Sequence, residues 1–313
     1  MTVLEMRCVV LLSTFNGSAY IEEQLTSILS QLPTEGLVLI RDDGSRDATV
    51  AVIESMSDSR IRLLKGANLG FARSFFSLMQ LAPRDADMYM LADQDDVWLP
   101  QKIQRAWAQV SRSGDVPFLY CTDTQLVDSA LRPLGVGRKR ISQGDLLAAL
   151  TDNQVTGCTV AMNAALLEMA LPDADVVGDV HFHDWWLYAV ATAFGKVFCD
   201  HQPTLLYRQH GQNQVGAGAG WLKYVRMLSY LRRNNWLMSL TLQVHAFRKT
   251  HGSRLSPVQH DVLDTLHRPH GGLRRWALLF SPRCHRASIT GEFLFRLLLA
   301  VDWRKMKKPA VGR

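Results

Sequence analysis

The stretch MYMLADQDD, residues 88–96, indicates both the fold class and the kind of chemistry that the chain supports. Its first five residues form an apolar run typical of a buried strand, and three carboxylates follow within four positions, at Asp93, Asp95 and Asp96. Carboxylates this close repel one another unless a cation lies among them, and carboxylates together with substrate phosphates hold Mg²⁺ or Mn²⁺. The stretch therefore predicts a divalent-cation site. The alternative is that the acidic residues cap the next helix, and for Asp96 we expect a capping or supporting role.

The same order of strand, polar loop and helix occurs earlier in the chain. Apolar runs at residues 8–12, 37–42 and 60–66 are each followed by apolar residues at helical spacing. Continuous apolar strands that alternate with helices predict an α/β fold, with a mostly parallel sheet flanked by helices. Ligands bind such sheets at the carboxyl ends of the strands, where the DDGS loop, residues 42–45, and the DQDD loop, residues 93–96, both fall.

Beyond residue 115 the pattern is less regular. We predict strands at FLYC (118–121), CTVAM (158–162), KVFCD and TLLYR, and a buried helix at DWWLYAVATAF (184–194). The stretch QVGAGAGW, residues 214–221, has the composition of a flexible boundary. It divides the chain into a predicted domain at 1–216 and a basic, aromatic-containing helical region at 217–313.

The charge of the chain differs between these two parts. Residues 1–220 carry a net charge of −8 and residues 221–313 a net charge of +14, which together give the +6 of the whole chain. Basic residues interleaved with aromatic ones can lay helices on an anionic bilayer, so the C-terminal region predicts association with an anionic membrane surface. The alternative is a soluble, basic helical face. The sequence pI of about 9.2 is also typical of a non-catalytic nucleic-acid-binding protein, which is an alternative interpretation. The acidic N-terminal part argues against a nucleic-acid partner.

Cysteine usage and hydropathy bear on where the protein works. Five widely spaced cysteines without a CxxC pair are typical of a reducing compartment. The first apolar run is too short for a signal peptide, and FLFRLLLAVDW near the C-terminus is well short of the roughly 20 apolar residues of a membrane span. We therefore expect a cytoplasmic protein, peripheral on the inner face of the cytoplasmic membrane.

Several motifs, taken in order, resemble those of family 2 glycosyltransferases of GT-A fold. The resemblance covers about residues 8–216 and is carried by VVLLSTFNG, DDGS, NLGFARSF, DQDDVWLPQK, TGCTVAMN, HDWW and YRQHGQN. The set is most similar to rhamnosyltransferase-like enzymes of bacterial surface-polysaccharide assembly, which use dTDP-L-rhamnose. The resemblance implies an inverting, metal-dependent enzyme with this nucleotide-sugar donor and a saccharide acceptor, lipid-linked at the membrane.

The resemblance also implies roles for individual residues. The residues expected to bind the nucleotide and the donor sugar are Thr14, Asp42, Asp43, Asn68, Gly70, Arg73, Asp93, Gln94, Thr156, Gly157 and Arg208. The metal ligands implied are Asp93, Asp95 and His210, with Asp95 preferred. The catalytic base implied is Asp184. The family's commoner form at that motif is an acidic pair such as Glu-Asp, and here His183 takes the first place.

Each of these residues also has a purely structural interpretation. DDGS forms a tight turn without any ligand, Gly70 suits the turn before a helix, and Arg73 suits an exposed surface. Asp184 would cap a helix, and His210 would be an ordinary structural histidine. Thr156 and Gly157, expected at the floor beneath the donor sugar, would otherwise form a turn into a strand. Trp185 and Trp186 favour the core over a sugar-stacking platform.

A nucleotidyltransferase acting on a sugar phosphate would also need a nucleotide pocket and paired metal carboxylates. Such enzymes usually carry a glycine-rich loop with Lys or Arg after the first strand. The loop STFNGSAY, residues 13–20, has no basic residue. The glycosyltransferase interpretation is therefore favoured, with a nucleotidyltransferase and a nucleic-acid-binding protein as alternatives.

Overall fold

The structure, a computed structural model, describes residues 6–138, 141, 144–209, 236–267 and 296. The strands are β1 (Cys8–Thr14), β2 (Leu37–Asp42), β3 (Ile61–Lys65), β4 (Met88–Ala92), β5 (Val97–Trp98), β6 (Phe118–Thr122), β7 (Thr124–Val127), β8 (Pro133–Gly137), β9 (Ala161–Met162), β10 (Lys196–Asp200) and β11 (Leu205–Arg208). The helices are α1 (Ile21–Leu29), α2 (Thr49–Ser55), α3 (Phe71–Leu81), α4 (Lys102–Val110), α5 (Leu146–Thr151), α6 (Ala164–Met169), α7 (His183–Phe194), α8 (Trp236–His251) and α9 (Pro257–His267). Short 3₁₀ turns occupy Gly157–Thr159, Val177–Asp179 and Gly252–Arg254.

The central sheet of the described part has the strand order β10-β6-β9-β4-β1-β2-β3. The pairs β1–β2, β2–β3, β1–β4 and β6–β10 are parallel, and the short β9 runs antiparallel between β4 and β6. The predicted α/β fold with a mostly parallel sheet is therefore confirmed. β1 lies between β2 and β4, so the two acidic loops flank the end of β1.

A smaller sheet with the order β5-β11-β7-β8 adjoins the acidic loop. Its first strand, β5, follows that loop directly and pairs antiparallel with β11. β11 in turn pairs parallel with β7. This sheet brings the YRQ segment at the end of β11 next to the DQDD loop, from which it is separated by more than a hundred residues of chain.

Hydrophobic residues cover both faces of the central sheet. In β1, Val9 and Leu11 belong to one buried cluster, whereas Val10 and Leu12 belong to the other. The first cluster is completed by residues from α3 and α5–α9, and the second by residues from α1, α2 and α4. This alternation is the period of two that a strand with two covered faces must show.

The helices α8 and α9 contribute to the first of these clusters. Leu240, Val244 and Phe247 from α8 and Leu263 from α9 are buried with the side chains of α7. The predicted boundary between residues 216 and 217 lies outside the described residues, as does most of the basic C-terminal region. The membrane association of that region therefore stays a prediction. Within the described ranges, no helix is both long and apolar enough to span a bilayer.

The segment at residues 158–162 differs from the predicted strand. It consists of the 3₁₀ turn Gly157–Thr159 followed by the two-residue strand β9. The amide of Thr159 donates to the carbonyl of Thr156 at 2.9 Å, and the hydroxyl of Thr159 donates to the same oxygen at 2.7 Å. The threonine side chain thus stabilises a turn where apolar content alone predicted an extended chain.

Asn163 joins β9 to the rest of the domain. Its side-chain oxygen accepts the amides of Phe118 and Leu166, both at 3.0 Å, so it ties β6 to the start of α6. Its amide nitrogen donates to Gly114 O at 3.1 Å and to Val116 O at 2.8 Å. The side chain is nearly inaccessible to water, which leaves these groups no substitute partners.

We expect Asn163→Ala to lower the free energy of unfolding by roughly 3 kcal/mol, because several buried backbone groups lose their partner together. The matched control is Asn153→Ala, since the Asn153 side chain is partly exposed and accepts the Val155 amide at 3.2 Å. That control should cost at most about 1 kcal/mol. Urea denaturation followed by circular dichroism measures both. Equal losses in the two variants would contradict the role assigned to Asn163.

Candidate active site

A cavity of about 560 Å³ opens at the carboxyl ends of β1 and β4. Ten of the residues predicted from the sequence line it: Thr14, Asp43, Asn68, Gly70, Asp93, Gln94, Asp95, Thr156, Gly157 and Asp184. The remaining lining residues had no predicted binding role: Ser13, Phe15, Phe71, Phe75, Phe182, His183 and Tyr207. The structure therefore brings together predicted site residues that lie up to 170 positions apart in the chain, from Thr14 to Asp184.

Gln94 joins the ends of β1 and β4. Its side-chain oxygen accepts the Thr14 hydroxyl at 2.7 Å and the Phe15 amide at 2.8 Å, and its nitrogen donates to Phe15 O at 3.1 Å. A Cβ on Gly17 would come within 2.3 Å of the same oxygen, so a side chain there would displace Gln94 from these contacts. Gln94 therefore fixes the position of the first loop as well as lining the cavity.

Asp43 positions the loop that carries Asn68 and Gly70. Its carboxylate accepts the amides of Leu69 and Gly70, both at 2.8 Å, and pairs with Arg41. Gly70 has a φ of 80°, in the region that glycine enters without strain. The turn expected at Gly70 is present, and it places Gly70 in the cavity wall immediately before α3.

Asp42 and Arg73 do not line the cavity, in contrast to the expectation for both. Asp42 Oδ2 accepts the amides of Gly44 at 3.2 Å and Ser45 at 3.0 Å, so that oxygen closes the turn of the DDGS loop. Arg73 is exposed on α3, and its guanidinium lies beside Gly178, where a Cβ would approach Nη2 to 2.4 Å. For Arg73 the structure favours the surface interpretation, because the residue is exposed and is not part of the cavity lining.

The acidic loop brings potential metal ligands together. One oxygen each of Asp93 and Asp96 and the sulfur of Cys158 lie within 4.8 Å of one another. Burial raises the pKa of Asp93 well above its usual range, and the carboxylates of Asp96, Asp95 and Asp184 raise it further. Burial, followed by the charge of Asp95, raises the pKa of Asp96 to about 7. Asp96 Oδ2 is buried and has no hydrogen-bond partner.

This ligand set fits a hard divalent cation. Crowded, buried carboxylates are unfavourable as anions without a positive partner, and their oxygens are the ligands that Mg²⁺ and Mn²⁺ prefer. Burial raises the pKa of the Cys158 thiol well above its usual value, as do the nearby charges of Asp96 and Asp93, so the neutral thiol is a poor ligand for such ions. Asp95 lines the same cavity. His210, the third ligand implied by the resemblance, lies outside the described residues.

Lys102 is a buried cation close to this loop that the sequence analysis did not single out. Its ammonium group donates to Cys158 O at 3.0 Å and to the Thr204 hydroxyl at 3.4 Å, and lies 4.9 Å from the centre of the Trp98 ring. Burial lowers the pKa of Lys102 to about 8. Its spacing from Ala106 and Val110 on the apolar face of α4 is the signal that could have revealed it.

Arg208 lies behind the acidic loop and does not line the cavity. Its guanidinium donates to the carbonyls of Asp95 at 2.8 Å and Ser129 at 2.7 Å, and to Glu23 at 2.5 Å. Its own amide donates to Asp96 Oδ1 at 3.2 Å. The expected direct contact with a phosphate is therefore not favoured, because the guanidinium is turned towards protein acceptors. Arg208 instead holds the acidic loop in place through these hydrogen bonds.

Asp184 occupies the first turn of α7, in the cavity wall. Its Oδ1 accepts the Trp185 amide at 2.8 Å, but Phe182 occupies the N-cap position of α7 and no side chain caps the helix, so Asp184 does not have the capping geometry expected as an alternative. Trp185 and Trp186 are both buried, and their indole nitrogens donate to Ala149 O at 2.6 Å and Ala170 O at 2.7 Å. The sugar-platform interpretation of these tryptophans is wrong, because both rings belong to the core.

Comparisons with known proteins agree with this geometry. The sequence model described as "Glycosyl transferase family 2" matches residues 9–169. The chain belongs to this family. It is 30% identical over 244 residues to the dTDP-rhamnosyl transferase RfbG of Shigella flexneri, a match that covers 72% of this chain and 80% of RfbG. It is 22% identical over 181 residues to the UDP-Glc:alpha-D-GlcNAc-diphosphoundecaprenol beta-1,3-glucosyltransferase WfgD of Escherichia coli, covering 57% of this chain and 67% of WfgD.

Solved structures share the fold of this family member at low sequence identity. The S. aureus TarS fragment 1–349 in complex with UDP-GlcNAc superposes with a TM-score of 0.53 and 14% identity, covering 96% of this chain and 92% of that one. The Pyrobaculum calidifontis mannosyltransferase PcManGT in complex with GDP-Man and Mn²⁺ gives a TM-score of 0.50 and 14% identity, covering 96% and 82%. The predicted GT-A fold and the resemblance to family 2 glycosyltransferases are both confirmed.

The position of Arg208 leads to a testable prediction. We expect Arg208→Lys to lower the free energy of unfolding by about 2–3 kcal/mol, because one ammonium group does not replace a guanidinium that reaches three acceptors. Arg73→Lys on the exposed face of α3 is the matched control and should change it by less than about 0.5 kcal/mol. Urea denaturation measures both. An Arg208→Lys variant of unchanged stability but weakened dTDP binding would instead support direct contact with the diphosphate.

Proposed function

We propose that this glycosyltransferase transfers L-rhamnose from dTDP-L-rhamnose, with inversion, onto a saccharide acceptor in bacterial surface-polysaccharide synthesis. The observation that carries the proposal is a single cavity lined by both the acidic DQDD loop and the carboxylate of Asp184. The similarity to a dTDP-rhamnosyl transferase over most of the chain supports this donor. Family membership also favours sugar transfer over the nucleotidyltransferase alternative.

In this proposal Asp184 is the general base. Its carboxylate is oriented by the Trp185 amide and lies in the first turn of the twelve-residue helix α7, in the wall of the cavity. The acceptor hydroxyl transfers its proton to Asp184 while its oxygen attacks the anomeric carbon. The bond from that carbon to the diphosphate oxygen breaks, and its electron pair leaves with dTDP. Attack opposite the leaving group inverts the anomeric configuration.

The residues that would hold a divalent cation are Asp93 and Asp95, with Asp96 placed to contribute. When bound there, Mg²⁺ or Mn²⁺ would neutralise charge that develops on the departing diphosphate. Arg208 fixes the main chain of the acidic loop through Asp95 O. Lys102 anchors the neighbouring segment through the carbonyl of Cys158. The carboxylates are thus oriented by protein contacts before any ligand arrives.

The proposed acceptor is a saccharide carried on a lipid diphosphate. The name of WfgD specifies such an acceptor for that protein. Residues 221–313, with a net charge of +14, would suit an acceptor held at an anionic membrane surface. The aromatic side chains in the cavity wall, Phe15, Phe71 and Phe182, offer apolar surface to sugar rings.

Turnover of a donor panel tests the proposal. We expect transfer from dTDP-L-rhamnose, and much slower transfer from UDP-glucose, UDP-GlcNAc and GDP-mannose, measured as release of nucleoside diphosphate in the presence of an acceptor lipid extract.

EDTA should abolish transfer and excess Mn²⁺ should restore it, because the buried carboxylates need a cation before a diphosphate can bind beside them. Full activity in EDTA would contradict metal dependence. Preference for a UDP-sugar would contradict the donor.

We expect Asp184→Asn to lower kcat by roughly 10²–10⁴-fold, because an amide of the same size does not accept the acceptor proton. Binding of dTDP, measured by isothermal titration calorimetry, should be unchanged. Asp115→Asn is the matched control, since Asp115 is exposed in a loop and does not line the cavity. Wild-type turnover in Asp184→Asn would place the base elsewhere.

A further inference from the structure

His183 is a buried residue of the cavity wall whose hydrogen-bonding groups are unused. Its imidazole is 6% exposed, and both ring nitrogens are buried without a hydrogen-bond partner. One face of the ring stacks on Phe75 with a centroid distance of 3.9 Å and an interplanar angle of 24°. Two unpaired buried nitrogens cost free energy that a folded domain rarely leaves uncompensated.

The ring also adjoins the two motifs that would surround the reacting sugar. A Cβ placed on Gly157 would lie 2.8 Å from His183 Nε2 and 3.5 Å from the Cβ of Asp184. Glycine at position 157 therefore lets the TGCT turn pack against the edge of the imidazole, where a side chain would clash with Nε2. His183, Gly157 and Asp184 all line the same cavity.

The charge state of His183 limits which ligand groups it can bind in the cavity. Burial lowers its pKa to about 4, against the opposing effect of Asp184, so the ring is neutral at the pH of the cytoplasm. A neutral imidazole has one N–H donor and one acceptor, and it is a poor partner for a diphosphate. A sugar hydroxyl, which both donates and accepts, complements it. The edge of Phe71, with its ring centre 6.1 Å away, supplies adjacent apolar surface.

We propose that His183 binds a hydroxyl group of the transferred sugar and so fixes the orientation of the sugar relative to Asp184. The contact rests on the proposed function, since it requires a nucleotide-sugar donor in this cavity. In this arrangement His183 contacts the sugar and not the nucleotide. Removing the imidazole should therefore weaken binding of the nucleotide sugar while leaving binding of the free nucleotide intact.

Two substitutions separate the hydrogen bond from the packing of the ring. His183→Phe keeps an aromatic ring against Phe75 and removes both nitrogens, whereas His183→Gln places an amide group close to the position of Nε2. The control is His245→Phe, on the exposed face of α8. Dissociation constants for dTDP and for dTDP-L-rhamnose are measured for each protein by isothermal titration calorimetry with Mn²⁺ present.

We expect His183→Phe to raise the dissociation constant for dTDP-L-rhamnose about 10–100-fold more than the dissociation constant for dTDP. His183→Gln should recover part of this loss of affinity. His245→Phe should change neither constant. Equal effects of His183→Phe on both ligands, or no effect on either, would overturn the proposal, because the ring would then act on the cavity as a whole or not at all. A wild-type protein that binds dTDP but not dTDP-L-rhamnose would contradict the proposed donor, and with it this contact.

Discussion

Crowding of carboxylates at the end of β4 is the constraint on which the rest of the site depends. Asp93 and Asp96 are brought within ligand distance of each other in a buried environment, and the pKa of each is raised by that burial and by neighbouring negative charge. Such an arrangement is unstable unless the surrounding structure imposes it and a cation compensates for it. The smaller sheet imposes it, because Arg208 at the end of β11 binds both the main chain of Asp95 and Glu23 of α1.

The same principle governs the other walls of the cavity. Polar side chains that a sequence comparison would assign to ligand binding are also used to hold loops: Gln94 ties β4 to β1, and Asp43 ties the DDGS loop to the start of α3. A carboxylate or amide fixed in this way presents its remaining hydrogen-bonding capacity in a constant direction. Preorganisation of this kind lowers the cost of arranging polar groups around a charged donor.

The sequence allowed the fold and the acidic edge of the site to be predicted for a simple geometrical reason. In a parallel sheet the hydrogen-bond register aligns strand ends, as the pairs Thr14–Asp42 and Leu12–Ala92 show, so residues that follow consecutive strands meet. The contacts of Arg208 and the burial of Lys102 arise from packing between elements about a hundred residues apart, and no local spacing contains them. The strand predicted from Cys158 begins only at Ala161, because a threonine hydroxyl stabilises the turn Gly157–Thr159 in spite of the strand-like apolar content around it.

The electrostatics of the cavity limit which kind of residue fits at position 183, next to Asp184. Asp184 already raises the pKa of Asp93, together with Asp95 and Asp96, so these four carboxylates interact within one site. An acidic residue in place of His183, as in the commoner form of the motif, would add a fifth carboxyl group in a position that is 6% exposed. A neutral imidazole avoids that repulsion and keeps a donor and an acceptor available. Under the proposed function, His183 would therefore contact an uncharged part of the donor, and the cation and the acidic loop would bind the diphosphate.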